Sequence, residues 1–279
     1  MSTVASTLVG IRPTPDWRDN GRRVRRWAVE AVLGIAAVLS EMPFLDHLEE
    51  LRRRLIRSII AISISLLLCL TYATQLIDIL RIPADRAGLP LIAVGGWEIF
   101  SVYFKAALVF GVCLSAPFVL WQVWRFIAPG LHQHEKKYAG PFLISTSLSF
   151  IAGALFGYLV LVPLTLKMIM SMAEPIHVKV QMSALSYFDL LSMIVIAMGI
   201  VFEIPPVIFV LSRIGLVNAR FLVRNFQYAF LLAFIVAALV TPSTDMGPMI
   251  LVALPMVALY VIGIVVAFVF GKPRKLDSI

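Results

Sequence analysis

The segment FLDHLEELRRRL, Phe44 to Leu55, places three acids, one histidine and three consecutive arginines directly before a long apolar run. Read as a helix, Phe44, Leu48, Leu51 and Leu55 fall on one apolar stripe at spacings of four, three and four. Glu49 with Arg53, and Glu50 with Arg54, are acid-first pairs four apart, the favourable order on a helix. Exposed pairs of this kind contribute only about 0.3–0.5 kcal/mol each. Arginines alone would orient a membrane helix, so the acids are a surplus that anchoring leaves unexplained. A carboxylate here can accept an external cation, and guanidinium suits it best because its planar fork binds bidentately.

A second acid of the same kind is Glu135, between His134 and Lys136 in WRFIAPGLHQHEKKYAGP. It is either a local salt bridge or the partner of Glu50 in a site for a bis-cationic ligand. The third is Glu203 in GIVFEIPPVIF, inside an apolar run with no Lys or Arg nearby. An acid within a membrane span is expensive and by default functional, and Pro205-Pro206 beside it should open the helix locally. Asp245, in VTPSTDMGPM, fits ordinary turn chemistry. The four histidines form no metal-ligand pattern, and no nucleophile–base motif, phosphate loop or HExxH occurs, so neither an enzyme, a metal nor a cofactor is expected.

The elements that must position these groups are membrane spans. Of 279 residues, 60 % are hydrophobic and 14 % charged. The mean hydropathy is +0.93. The net charge of +8 does not point to nucleic acid, because the basic residues sit in short loops between apolar runs. Cys69 and Cys113 lie in apolar runs and read as buried hydrophobes. Six spans are expected, at about 55–77, 104–124, 142–165, 188–211, 226–240 and 249–270. The fifth, at 1.5 Å per residue, covers only about 22 Å of a ~30 Å hydrocarbon core. Prolines 117, 163, 205, 206 and 255 should bend the bundle. With the N-terminus in the cytoplasm, 19 of the 24 Lys and Arg fall on the cytoplasmic side. The positive-inside rule therefore puts both termini there. Residues 1–41 combine a basic cluster with a short apolar run interrupted by Glu30. They read as an amphipathic extension of weak order, or as sequence upstream of a true start at Met42. Residues 42–270 are the membrane domain and 271–279 a cytoplasmic tail.

Taken together, FLDHLEELRRRLI, SAPFVLWQVWRFIAPGLHQHEKKY, FEIPPVI and TPSTDMGPMILVALPM resemble, in order, the motifs of the TatC family, the signal-receptor subunits of the twin-arginine protein translocase. The resemblance runs from about Met42 to Phe270. It implies an all-α fold: six transmembrane helices in a concave, glove-like bundle in the inner membrane of a prokaryote. It implies binding of Arg-Arg signal peptides of folded precursors, with Glu50 and Glu135 as signal-binding acids and Arg52 and Phe126 beside them. Glu203 matches the family's intramembrane acid, Pro83 its periplasmic-cap proline and Asp245 the acid of its last periplasmic turn. The implied partners are the single-span subunits TatA and TatB, other TatC copies and the bilayer, with the proton-motive force as driver. The first periplasmic loop departs from the pattern, with Gly95-Gly96-Trp97 where relatives often carry a Thr-Pro-type motif. The competing class is a proton-coupled small-solute transporter using Glu203. Such proteins often show internal repeats, and none is seen here.

Overall fold

The computed structural model describes residues 43–127, 139–177, 180–215, 217–241 and 246–271. Ten helices lie within them: α1 Pro43–Thr71, α2 Ala73–Arg86, α3 Gly96–Ile127, α4 Ala139–Phe156, α5 Val162–Ala173, α6 Ala184–Val201, α7 Ile204–Ile214, α8 Ala219–Arg224, α9 Phe226–Val240 and α10 Met246–Phe270. Two residue pairs, Leu91–Ile92 (β1) and Met182–Ser183 (β2), form a short parallel bridge. Five stretches are long and apolar enough to cross a membrane: Leu48–Thr71, Gly96–Phe126, Ile144–Ala173, Ala184–Arg213 and Met246–Phe270. Helix α9, expected as the fifth span, is apolar but shorter than these five.

Residues 1–53 and 54–279 are separate compact units. Of the first, the described part is the start of α1, where Leu48 and Leu51 are exposed rather than packed inward. In the second unit, α6 is the centre. Tyr187, Phe188, Leu191, Ile194 and Met198 are essentially inaccessible, and α6 packs against α3 and α4. Its apolar character on all sides is what a helix surrounded by others requires. A smaller cluster of Ile208, Leu222 and Ala267 joins α7, α8 and α10.

Pro83, Pro163 and the Pro205-Pro206 pair are each accommodated in a different way. A proline removes one N–H and so strips the carbonyl four residues earlier of its helical donor. Pro83 does this to Ile79, and the Tyr158 hydroxyl donates to the Ile79 carbonyl at 2.5 Å instead. The next carbonyl, of Leu80, accepts from the Tyr187 hydroxyl at 2.7 Å. Before Pro163 the helix widens into a π turn over Gly157–Leu161 and then continues to Ala173. The span expected to close near residue 165 is therefore longer, because a π turn absorbs the proline rather than ending the helix. Pro205 and Pro206 do break the helix, at Phe202 and Glu203. The first helix ends at Thr71 rather than 77, with a turn at Tyr72 before α2.

Close packing of α4 on α6 depends on glycine. A Cβ on Gly153 would stand 2.7 Å from the Phe202 side chain and would also meet the Met198 carbonyl oxygen. Gly153→Ala should therefore destabilise the protein by about 1–3 kcal/mol, the usual cost of overpacking. Thermal unfolding in detergent measures this, with Gly95→Ala, which meets nothing within 4 Å, as the unaffected control.

Candidate functional site

The acids at the start of α1 lie one helical step apart. Glu49 Oε1 accepts from Arg53 Nη2 at 3.2 Å, the i, i+4 pair its spacing predicts, and both side chains are largely exposed. Arg52 is exposed, whereas Glu50 is half-buried and has polar or charged interactions of its own. The turn Glu49–Arg53 thus presents two acids followed by two arginines on a helix whose leucines are also exposed. Phe126, half-buried, ends α3 beside Arg125, whose guanidinium stacks 5.5 Å from the Trp121 ring centroid. Glu135 and Asp245 lie outside the described residues.

Glu203 occupies the break between α6 and α7. Its N–H donates to the Ile200 carbonyl at 3.0 Å, and its own carbonyl accepts from Val207 at 2.9 Å. Its side chain caps nothing. Oε1 is buried with no hydrogen-bond partner among the described residues. Pro205 and Pro206 remove the helical donors of the Val201 and Phe202 carbonyls. The same break thus holds a buried carboxylate oxygen without a partner among the described residues and two carbonyls that have lost their helical donors. All are acceptors, so the site suits a hydrogen-bond donor or a proton. Phe202 shields one flank, its ring 5.5 Å from that of Phe156.

Pro83 works through the backbone: by freeing the Ile79 carbonyl it lets Tyr158 tie α2 to the π turn. The loop after α2 is tied down by Glu98. Its Oε2 accepts from the Val94 N–H at 2.7 Å and its Oε1 from the Ser183 hydroxyl at 2.7 Å. Ser183 also caps α6 by accepting from the Ser186 N–H at 3.4 Å. One hydroxyl thus links the β1–β2 bridge, the start of α3 and the start of α6.

Two features escaped the sequence reading. Lys105 on α3 forms an ion pair with Asp189 on α6. An acid inside an apolar span needs a partner, but which residue supplies it is set by tertiary packing. Gln122, buried in α3, has an Oε1 without a hydrogen-bond partner among the described residues.

Residues 46–255 match the sequence model of a family described as Sec-independent protein translocase protein (TatC). Similar curated proteins include a Sec-independent protein translocase protein TatC of Koribacter versatilis, 38 % identical over 244 residues, covering 85 % of this chain and 89 % of the relative. That of Aquifex aeolicus is 33 % identical over 237 residues, covering 84 % and 98 %. A crystal structure titled as the twin arginine translocase receptor TatC superposes with a TM-score of 0.73 at 34 % identity, covering 79 % of this chain and 97 % of that one.

The Glu98 knot generates its own expectation. Glu98→Ala should speed backbone hydrogen exchange over residues 91–98 and at Ser186 while leaving exchange in the middle of α6 unchanged. Mass-spectrometric exchange in detergent reads both regions at once.

Proposed function

The chain belongs to the TatC family, and we propose that it is the signal-receptor subunit of a twin-arginine translocase, which exports folded precursors without covalent chemistry. The observation that carries this reading is the family match over residues 46–255, which spans the acid-bearing start of α1, the Glu135 loop and the Glu203 break. The chain is a multi-pass membrane component of a protein translocase. The small-solute transporter reading is not supported, since the similar proteins are named as protein translocases.

In this reading Glu50 and Glu135 accept the two guanidiniums of a signal peptide, and each carboxylate can take a bidentate pair of N–H donors. Lysine cannot reproduce that fork, which supplies selectivity for arginine. The family motifs add Arg52 and Phe126 to the same task. The exposed leucine stripe of α1 holds the carboxylates at the membrane surface. The Lys and Arg distribution supports cytoplasmic N- and C-termini in the inner membrane, with Pro83 and Asp245 on the far side. TatA, TatB and further TatC copies are the partners, and the proton-motive force the driver. Glu203 serves a later step: its unpaired oxygen takes a polar side chain of a partner helix, or a proton.

Two measurements test the assignment. Photo-crosslinking of an Arg-Arg signal peptide to membranes holding this protein should drop sharply in the Glu50→Ala, Glu135→Ala double variant. Unchanged crosslinking would sink the arginine site. Glu203→Ala should leave that crosslink intact and abolish export of a folded reporter; parallel loss of both would move Glu203 into signal recognition.

A further inference from the structure

Away from the α1 acids and Glu203, a cavity of about 460 Å³ opens among α5, the first half of α6, and the facing ends of α9 and α10. Most of its wall is apolar, Ile169, Met193 and Ile194 included, but four polar residues line it: Thr165, Ser186, Asp189 and Thr241. Thr165 is 1 % exposed, and its hydroxyl has no hydrogen-bond partner among the described residues. Buried hydroxyls in folded proteins are paired almost without exception, so this one lacks a partner that a ligand would supply. The Asp189 carboxylate gives Oδ1 to Lys105, and that pair does not use Oδ2. Its side chain is 48 % exposed, so the carboxylate is accessible. The Thr241 hydroxyl donates to the Ala237 carbonyl at 2.9 Å and keeps its lone pairs.

An apolar wall with a small polar cluster selects an amphiphile. The charge of the cluster selects its head. Asp189 and Lys105 together are neutral and dipolar, so a headgroup that is itself a zwitterion complements them. A purely anionic head would add a net negative charge beside a neutral pair and offer no ammonium to the Asp189 carboxylate. We propose that this cavity binds one phospholipid bearing a primary ammonium, its acyl chain along Met193 and Ile194. The ammonium donates to Asp189 Oδ2 and the Ser186 hydroxyl. The phosphate faces Lys105, and Thr165 donates to a lipid oxygen. A primary ammonium has N–H groups to donate and a quaternary one has none, so ethanolamine is favoured over choline. The inference rests on the protein spanning a membrane and is independent of the signal-receptor role.

The test is native mass spectrometry of the full chain, delipidated in a mild detergent and offered equal concentrations of phosphatidylethanolamine, phosphatidylcholine or phosphatidylglycerol. The wild type should retain one phosphatidylethanolamine in preference to the other two. Asp189→Asn should weaken that binding by at least about tenfold, as expected on replacing a charge-assisted hydrogen bond by a neutral one. Thr165→Val, close in shape, should weaken it less, and Met193→Trp, which fills the cavity, should abolish it. Equal retention of all three lipids by the wild type would overturn the proposal whatever the variants do. So would wild-type retention by Met193→Trp. Soluble glycerophosphoethanolamine, lacking acyl chains, should not bind; binding as tight as the lipid's would overturn the amphiphile in favour of a free ammonium compound.

Discussion

A carbonyl that loses its N–H donor in a medium without water has few ways to recover. This constraint shapes the second unit of the protein at several of its prolines. Hydrocarbon offers no hydrogen bonds, so each proline in a span creates a local debt that the fold must settle within a few ångströms. At Ile79, outside the five long apolar stretches, a tyrosine from another helix supplies the donor in the same way. Ahead of Pro163 a π turn re-routes the ladder. At Pro205-Pro206 the helix divides and a carboxylate sits in the gap. The first two solutions are closed and stiffen the structure. The third leaves the Glu203 Oε1 buried without a partner among the described residues.

The same logic separates the polar groups by task. Tyr187 is wholly buried and its hydroxyl is used, so it is structural. Glu98 is fully engaged by Val94 and Ser183, and it holds two loops together. Glu203, Gln122 and Thr165 keep a buried oxygen without a partner among the described residues. Oxygens in that condition are where an external donor gains most, because no internal bond must first be broken.

Much of this was legible in the chain. The apolar run of α9 appears at its expected bounds, because an uninterrupted hydrophobic stretch between polar loops has one reading. Pro205-Pro206 announced the break at Glu203, since two adjacent missing donors exceed what a helix tolerates. Three features were not legible. The π turn before Pro163 depends on room beside α6, where Gly157 lies against Ile194 and Val195, and that is a tertiary fact. The donor for Ile79 is a tyrosine 79 residues away. The Lys105–Asp189 pair joins positions 84 residues apart, and neither residue signals the other locally. The family motifs named Glu50 and Glu135 as a pair, but Glu135 lies outside the described residues, so their meeting rests on the family assignment.

The bridge between Leu91–Ile92 and Met182–Ser183 bears on biogenesis. Its two halves are separated by about 90 residues that contain the whole of α3, α4 and α5. During synthesis the first half is made long before the second exists. Until residue 182 has been added and delivered to the same side of the membrane, Glu98 lacks the Ser183 hydroxyl and α6 lacks its cap. The loop after α2 therefore gains its tether late, only once the segment that follows α5 has been made.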